Sequence, residues 1–126
     1  MFPDPCGAEF AEAVRNGNDP KTVVPDGFPI VRGGAGPIAP SGTPFSAATG
    51  PSLEAAAAAV PHGRIRATTA GAIRAQGGIV EWAPEVSRHG TPNQQHVNFT
   101  GVGSTTFSEL RSNPVPRADR IDGDKK

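Results

Sequence analysis

The chain has 126 residues, among them 16 glycines and 14 prolines, and its twelve lysines and arginines balance its twelve aspartates and glutamates. That length holds one ordinary domain, and a hydrophobic content of 36%, much of it alanine, predicts a small core with a stability of only a few kcal/mol. A lone Cys6 excludes a disulfide framework and a cysteine-based metal site. No stretch approaches the roughly 20 apolar residues of a membrane-spanning helix. The start, Met1-Phe2-Pro3-Asp4-Pro5, lacks the basic and apolar regions of a secretion signal, so export is expected to depend on something else.

The two halves differ. Residues 1–60 hold nine of the prolines, eight of the glycines, and three cations against six acids. Residues 61–126 carry seven arginines and two lysines against six acids, and both lysines stand at the very end. A GC-rich genome accounts for that choice as readily as selection does, yet arginine also presents a planar fork that matches phosphate and carboxylate.

In chain order, Phe10 and Val14 share one face of a short helix over residues 7–16, with Gly17 as its stop. From Asp19 to Pro51 prolines and glycines recur every few residues, which reads as linker. Ser52 caps a helix from Leu53 to Ala59 with Glu54 in its first turn, and Pro61 ends it. Residues 1–60 are therefore expected to be a Pro/Gly-rich leader with two short helices and no core of its own. An α+β domain is expected over residues 61–121, followed by a frayed tail at 122–126.

Within that domain Arg64-Ile65-Arg66-Ala67 alternates as a short edge strand. Thr68 or Thr69 caps a helix through Gln76, anchored by Ile73 and closed by Gly77. Ile79 to Ala83 is a strand stopped by Pro84, and residues 85–93 form a loop. From Gln94 to Thr100, Val97 and Phe99 alternate with His96, Asn98 and Thr100, which sets three polar groups on one strand face. Thr105 to Phe107 starts a further strand, Asn113-Pro114-Val115-Pro116 is extended, and Arg117 to Ile121 closes the sheet. Internal repeats, Gly-rich phosphate loops and a G-x-S-x-G elbow are absent from the sequence.

Three groups bear chemistry. His96, Asn98 and Thr100 offer an acid–base group beside two hydrogen-bonding ones, although every half-buried sheet has a polar face. Arg64 and Arg66, with His62 before them, offer an anion clamp, or simply a charged edge strand that resists aggregation. Arg117 and Arg120 form a second basic pair, and Glu81 and Glu85 are reserve bases. His62, His89 and His96 lack the spacings of a zinc site, so neither metal nor cofactor is expected. Together the groups suit metal-free cleavage of RNA, whose 2′-hydroxyl is an internal nucleophile. The enzyme then supplies a base, an acid and cations around the phosphorane-like transition state.

The runs His62 to Thr69, Gly77-Gly78, Pro84-Glu85, Gln95 to Asn98 and Asn113 to Arg117 resemble the C-terminal toxin domain of bacterial polymorphic toxins, closest to the type 17 class attached to Rhs-repeat and other exported carriers. The resemblance covers about half the chain. It implies a ribonuclease-like toxin acting in the cytoplasm of a rival cell, delivered by a carrier or secretion apparatus and neutralised by a cognate immunity protein. Its fold would be of the barnase–EndoU–colicin–RelE kind, one or two helices followed by a four-stranded antiparallel sheet. On this reading His96, Arg64, Arg66 and Thr100 act on RNA, while His62, Asn98, Arg117 and Arg120 bind it. Two alternatives stand beside it: a non-catalytic module whose arginines engage an acidic partner, and a toxin with another reaction such as ADP-ribosyl transfer.

Overall fold

The computed structural model describes residues 5–34, 38–86, 90–110 and 112–121, with the side chains of residues 5–7 left aside. His89 and the tail at 122–126 therefore lie outside the described residues, as does the side chain of Cys6. The fold is α+β, with three short helices and a small antiparallel sheet of six strands. Its helices are α1 (Pro5–Arg15), α2 (Leu53–Ala58) and α3 (Ala70–Ala75). The sheet comprises β1 (Pro29–Gly33), β2 (Phe45–Thr49), β3 (Ile65–Thr69), β4 (Ile79–Trp82), β7 (His96–Thr100) and β8 (Ser108–Leu110). Two further strands, β5 (Glu85–Val86) and β6 (Pro92–Asn93), form a separate hairpin. The order across the six-stranded sheet is β4-β7-β2-β1-β3-β8, and every neighbouring pair is antiparallel.

That order corrects the expected leader. β1 and β2 are the two central strands, and Phe10, Val24, Ile30 and Val31 are all buried. Residues 1–60 thus supply the middle of the sheet. Their prolines and glycines punctuate structure instead of preventing it: Pro29 and Gly33 bound β1, while Pro44 and Gly50 flank β2. Ile30 and Val31, on opposite faces, belong to two different cores, so β1 is covered on both sides and shows no apolar–polar alternation.

The first face carries Ile30, Ala47, Val80, Val97 and Phe99, packed with Phe10 of α1, Ile73 of α3, Val102 and Phe107. The rings of Phe45, Phe99 and Phe107 stack in tilted contact, with centroid distances of 5.8 and 5.1 Å. The second face carries Val31, Ala48 and Ile65 under α2, whose Ala56, Ala57 and Ala58 are buried with Ala59, Val60 and Val115. Four consecutive small side chains let α2 lie close to the sheet, so alanine serves this core better than its area suggests.

Expected caps are in place. Ser52 and Thr69 accept hydrogen bonds from the Ala55 and Ala72 amides, and Gly77 adopts φ +84° just past α3. Three connections tie distant segments together. Arg74 of α3 donates to the carbonyls of Val24 and Lys21 and pairs with Asp26 at 2.7 Å, which fixes the segment before β1. The Asn113 amide is shared among the carbonyls of Ala57, Val60 and His62, while its oxygen accepts from the Val115 amide. Gln95 donates to the carbonyls of Thr49 and Ala55, which binds the turn before β7 to α2.

Several local expectations change. Residues 104–106 form a 3-10 turn and the strand follows at Ser108–Leu110 instead of Thr105–Phe107. Arg117–Asp119 is also a 3-10 turn and closes no sheet; Ile121 instead donates its amide to the Ala58 carbonyl and packs on the second core. The expected loop over residues 85–93 holds the β5–β6 hairpin. Among the described residues no helix is long and apolar enough to cross a membrane.

Candidate functional site

Register decides which of the expected site residues meet. His96, Asn98 and Thr100 do project to one face, the second, because Val97 and Phe99 between them enter the first core. Asn98 is paired across β7 with Ser46 of β2 on one side and with Glu81 of β4 on the other. A hydroxyl, an amide and a carboxylate thus line up perpendicular to the strands over about 10 Å, two strand spacings. Among the described residues the side chains of Ser46, Glu81, Asn98 and Thr100 make no hydrogen bond or ion pair, and α2 covers only the β1–β2 part of this face. Ser46 is exposed, while Glu81, Asn98 and Thr100 are half-buried.

His96 stands at one end of the row beside Ala48 and is only 7% exposed. Its Nδ1 lies 2.6 Å from the Ala83 carbonyl, which can only accept, so that nitrogen carries a proton. Nε2 is buried without a hydrogen-bond partner and lies 3.4 Å from Oε1 of the exposed Glu85. The same Ala83 donates its amide to the His96 carbonyl, so the imidazole also fastens the chain where it leaves β4.

The guanidinium ring expected around this face is not there. Arg66 alternates with Ile65, which enters the second core, and so points to the first face. There it is the strand partner of Arg32 and of Glu109. Arg64 and Arg66 reach the two oxygens of Glu109 at 3.1 and 3.7 Å. The sheet itself separates these cations from His96, and the expected pairing of His96 with Arg64 and Arg66 in one site is withdrawn.

Arg120 is a structural group: its Nε and Nη1 donate to the carbonyls of Val115 and Pro61, holding the C-terminal segment against the start of the domain. His62 packs its imidazole over Gly33, where a Cβ would collide with the ring, and its carbonyl accepts from Asn113. Arg117 lies exposed on the second 3-10 turn. None of the three joins the row around Asn98 through a hydrogen bond or ion pair among the described residues. Ser46 and Arg32 were hidden inside the apparent linker. The signal for them was an Ile30-Val31 pair bounded by Pro29 and Gly33, and the run Phe45 to Thr49 between Pro44 and Gly50.

Among the described residues no three His, Cys, Asp or Glu side chains lie close enough together to hold a metal ion. Comparison with known protein families, with curated proteins and with solved structures finds no match.

Proposed function

We propose that the chain is a metal-independent ribonuclease toxin whose chemistry takes place on the second face, with Glu81 and His96 as its acid–base pair. One observation carries this reading: Ser46, Glu81, Asn98, Thr100 and His96 gather on one sheet face, with Glu85 against the imidazole. Arg64 and Arg66 are no longer part of it.

Glu81 sits directly opposite Asn98, two residues from His96 on β7, so their backbones stand about 7–8 Å apart. That spacing lets the two groups address opposite sides of one phosphate. Glu81 takes the proton from the 2′-hydroxyl, the 2′-oxygen bonds to phosphorus, and the bond to the 5′-oxygen breaks. The protonated Nε2 of His96 returns a proton to that leaving oxygen, giving a 2′,3′-cyclic phosphate and a free 5′-hydroxyl. Nε2 is buried behind the exposed Glu85, whose side chain has to swing aside to admit substrate. Asn98, Ser46 and Thr100 donate hydrogen bonds to the phosphoryl oxygens.

Action in a rival cell's cytoplasm, delivery by a carrier and neutralisation by an immunity protein rest on the resemblance alone. The test is RNA digestion by folded protein in EDTA. Cleavage to cyclic-phosphate ends, lost in Glu81→Gln, supports the reading. Intact RNA after long incubation with excess folded protein removes it.

A further inference from the structure

The imidazole of His96 is held from behind. Its Nδ1 donates to the Ala83 carbonyl at 2.6 Å, and its own carbonyl accepts the Ala83 amide at 3.0 Å. The ring nitrogen left to take up and return a proton is therefore Nε2. His96 is also the first residue of β7, with Ala48 as its partner on β2, and strand ends are where local opening begins. The residue before it, the half-buried Gln95, is bound on every polar side. Its Nε2 donates to the Thr49 carbonyl at the end of β2, at 2.8 Å, and to the Ala55 carbonyl of α2, at 2.9 Å. Both acceptors are carbonyls, so the orientation of the amide is fixed and both of its donor hydrogens are used. The Gln95 carbonyl accepts the Thr49 amide, and the Gln95 amide donates to Oδ1 of Asn93, each at 3.0 Å. Asn93 is itself buried and reaches the Ala59 carbonyl.

We propose that Gln95 is a positioning residue for His96. Its amide clamp between β2 and α2 fixes the point at which β7 begins, and so holds Nδ1 on the Ala83 carbonyl and keeps the neutral imidazole in the tautomer whose Nε2 is unprotonated. Without the clamp the start of β7 loosens, the contact with Ala83 lengthens, and the other tautomer gains population. A ring displaced in this way presents Nε2 off the line of the leaving oxygen, and proton transfer is sensitive to such displacement. The proton-transfer role of His96 rests on the ribonuclease reading; the link from Gln95 to the ring does not.

The test compares the whole chain with Gln95→Met, which keeps the length of the side chain but has no donor, and with Ile73→Val, which loosens the core on the opposite face. Gln95→Asn, with its amide on a shorter stem, is the milder variant and keeps the series readable should Gln95→Met fail to fold. Imidazole nitrogen–proton correlation spectra in alkaline solution, where histidine is neutral, read the tautomer, and RNA cleavage reads kcat and KM separately. The unaltered protein should show His96 protonated at Nδ1. Gln95→Met should move the tautomer ratio toward Nε2–H about fivefold, the worth of one hydrogen bond, and Gln95→Asn should move it less in the same direction. Gln95→Met should also lower kcat roughly tenfold with KM little changed. Ile73→Val should leave tautomer and kcat as they were. An unmoved tautomer in the folded Gln95 variants overturns the proposal, and so does an equal shift in Ile73→Val, which would make Gln95 a general support of the fold. The expected tautomer shift in a protein that cuts no RNA removes the ribonuclease reading and leaves the positioning role standing.

Discussion

The sheet's two faces handle polar side chains in opposite ways. On the first face the charges near β8 are engaged with one another, two arginines sharing the two oxygens of Glu109. On the second, Ser46, Glu81, Asn98 and Thr100 stand in register with no side-chain partner among the described residues. Residues that satisfy one another contribute to fold or recognition, whereas aligned groups that satisfy only water remain available to a substrate. The faces also have separate cores, which makes each perturbable by itself.

The largest expected effects come from β1. Ile30 and Val31 are fully buried on opposite faces, so Ile30→Ala should cost about 2–5 kcal/mol and Val31→Ala somewhat less, read from urea unfolding. A dispensable leader would leave both values near zero. Asn113→Ala releases three carbonyls and one amide around the second core, and a loss of about 2–3 kcal/mol is expected in the same assay. A loss below about 0.5 kcal/mol would mean that the Asn-Pro-Val-Pro segment is not a staple. At the small end, Glu81→Gln and Asn98→Ala should each shift stability by less than about 0.5 kcal/mol, since neither side chain makes a hydrogen bond or ion pair among the described residues. A marked destabilisation by either would show that the polar row supports the fold and would blur the contrast between the faces.

The C-terminal part of the fold was legible because its strands and caps follow local rules. The alternation in residues 94–100 gave the correct face for His96, Asn98 and Thr100, and Ser52, Thr69 and Gly77 mark their helix ends as expected. The central strands were not legible. A strand covered on both sides has no period of two, and in β2 the core residues are mainly alanines between proline and glycine. The separation of His96 from Arg64 and Arg66 is a fact of register. Period two puts Arg64 and Arg66 on one side of their own strand, but which side of the sheet that is depends on β1, the strand taken for linker. Ser46 escaped for the same reason.

The most direct measurement is RNA cleavage in EDTA by the whole chain, with Glu81→Gln and Arg64→Gln assayed in parallel. The account predicts cyclic-phosphate products from the unaltered protein and the Arg64 variant, and at least a hundredfold fall, on the order of what general-base removal costs, for Glu81→Gln. Cleavage that survives Glu81→Gln but collapses with Arg64→Gln would place the chemistry on the wrong face and contradict it.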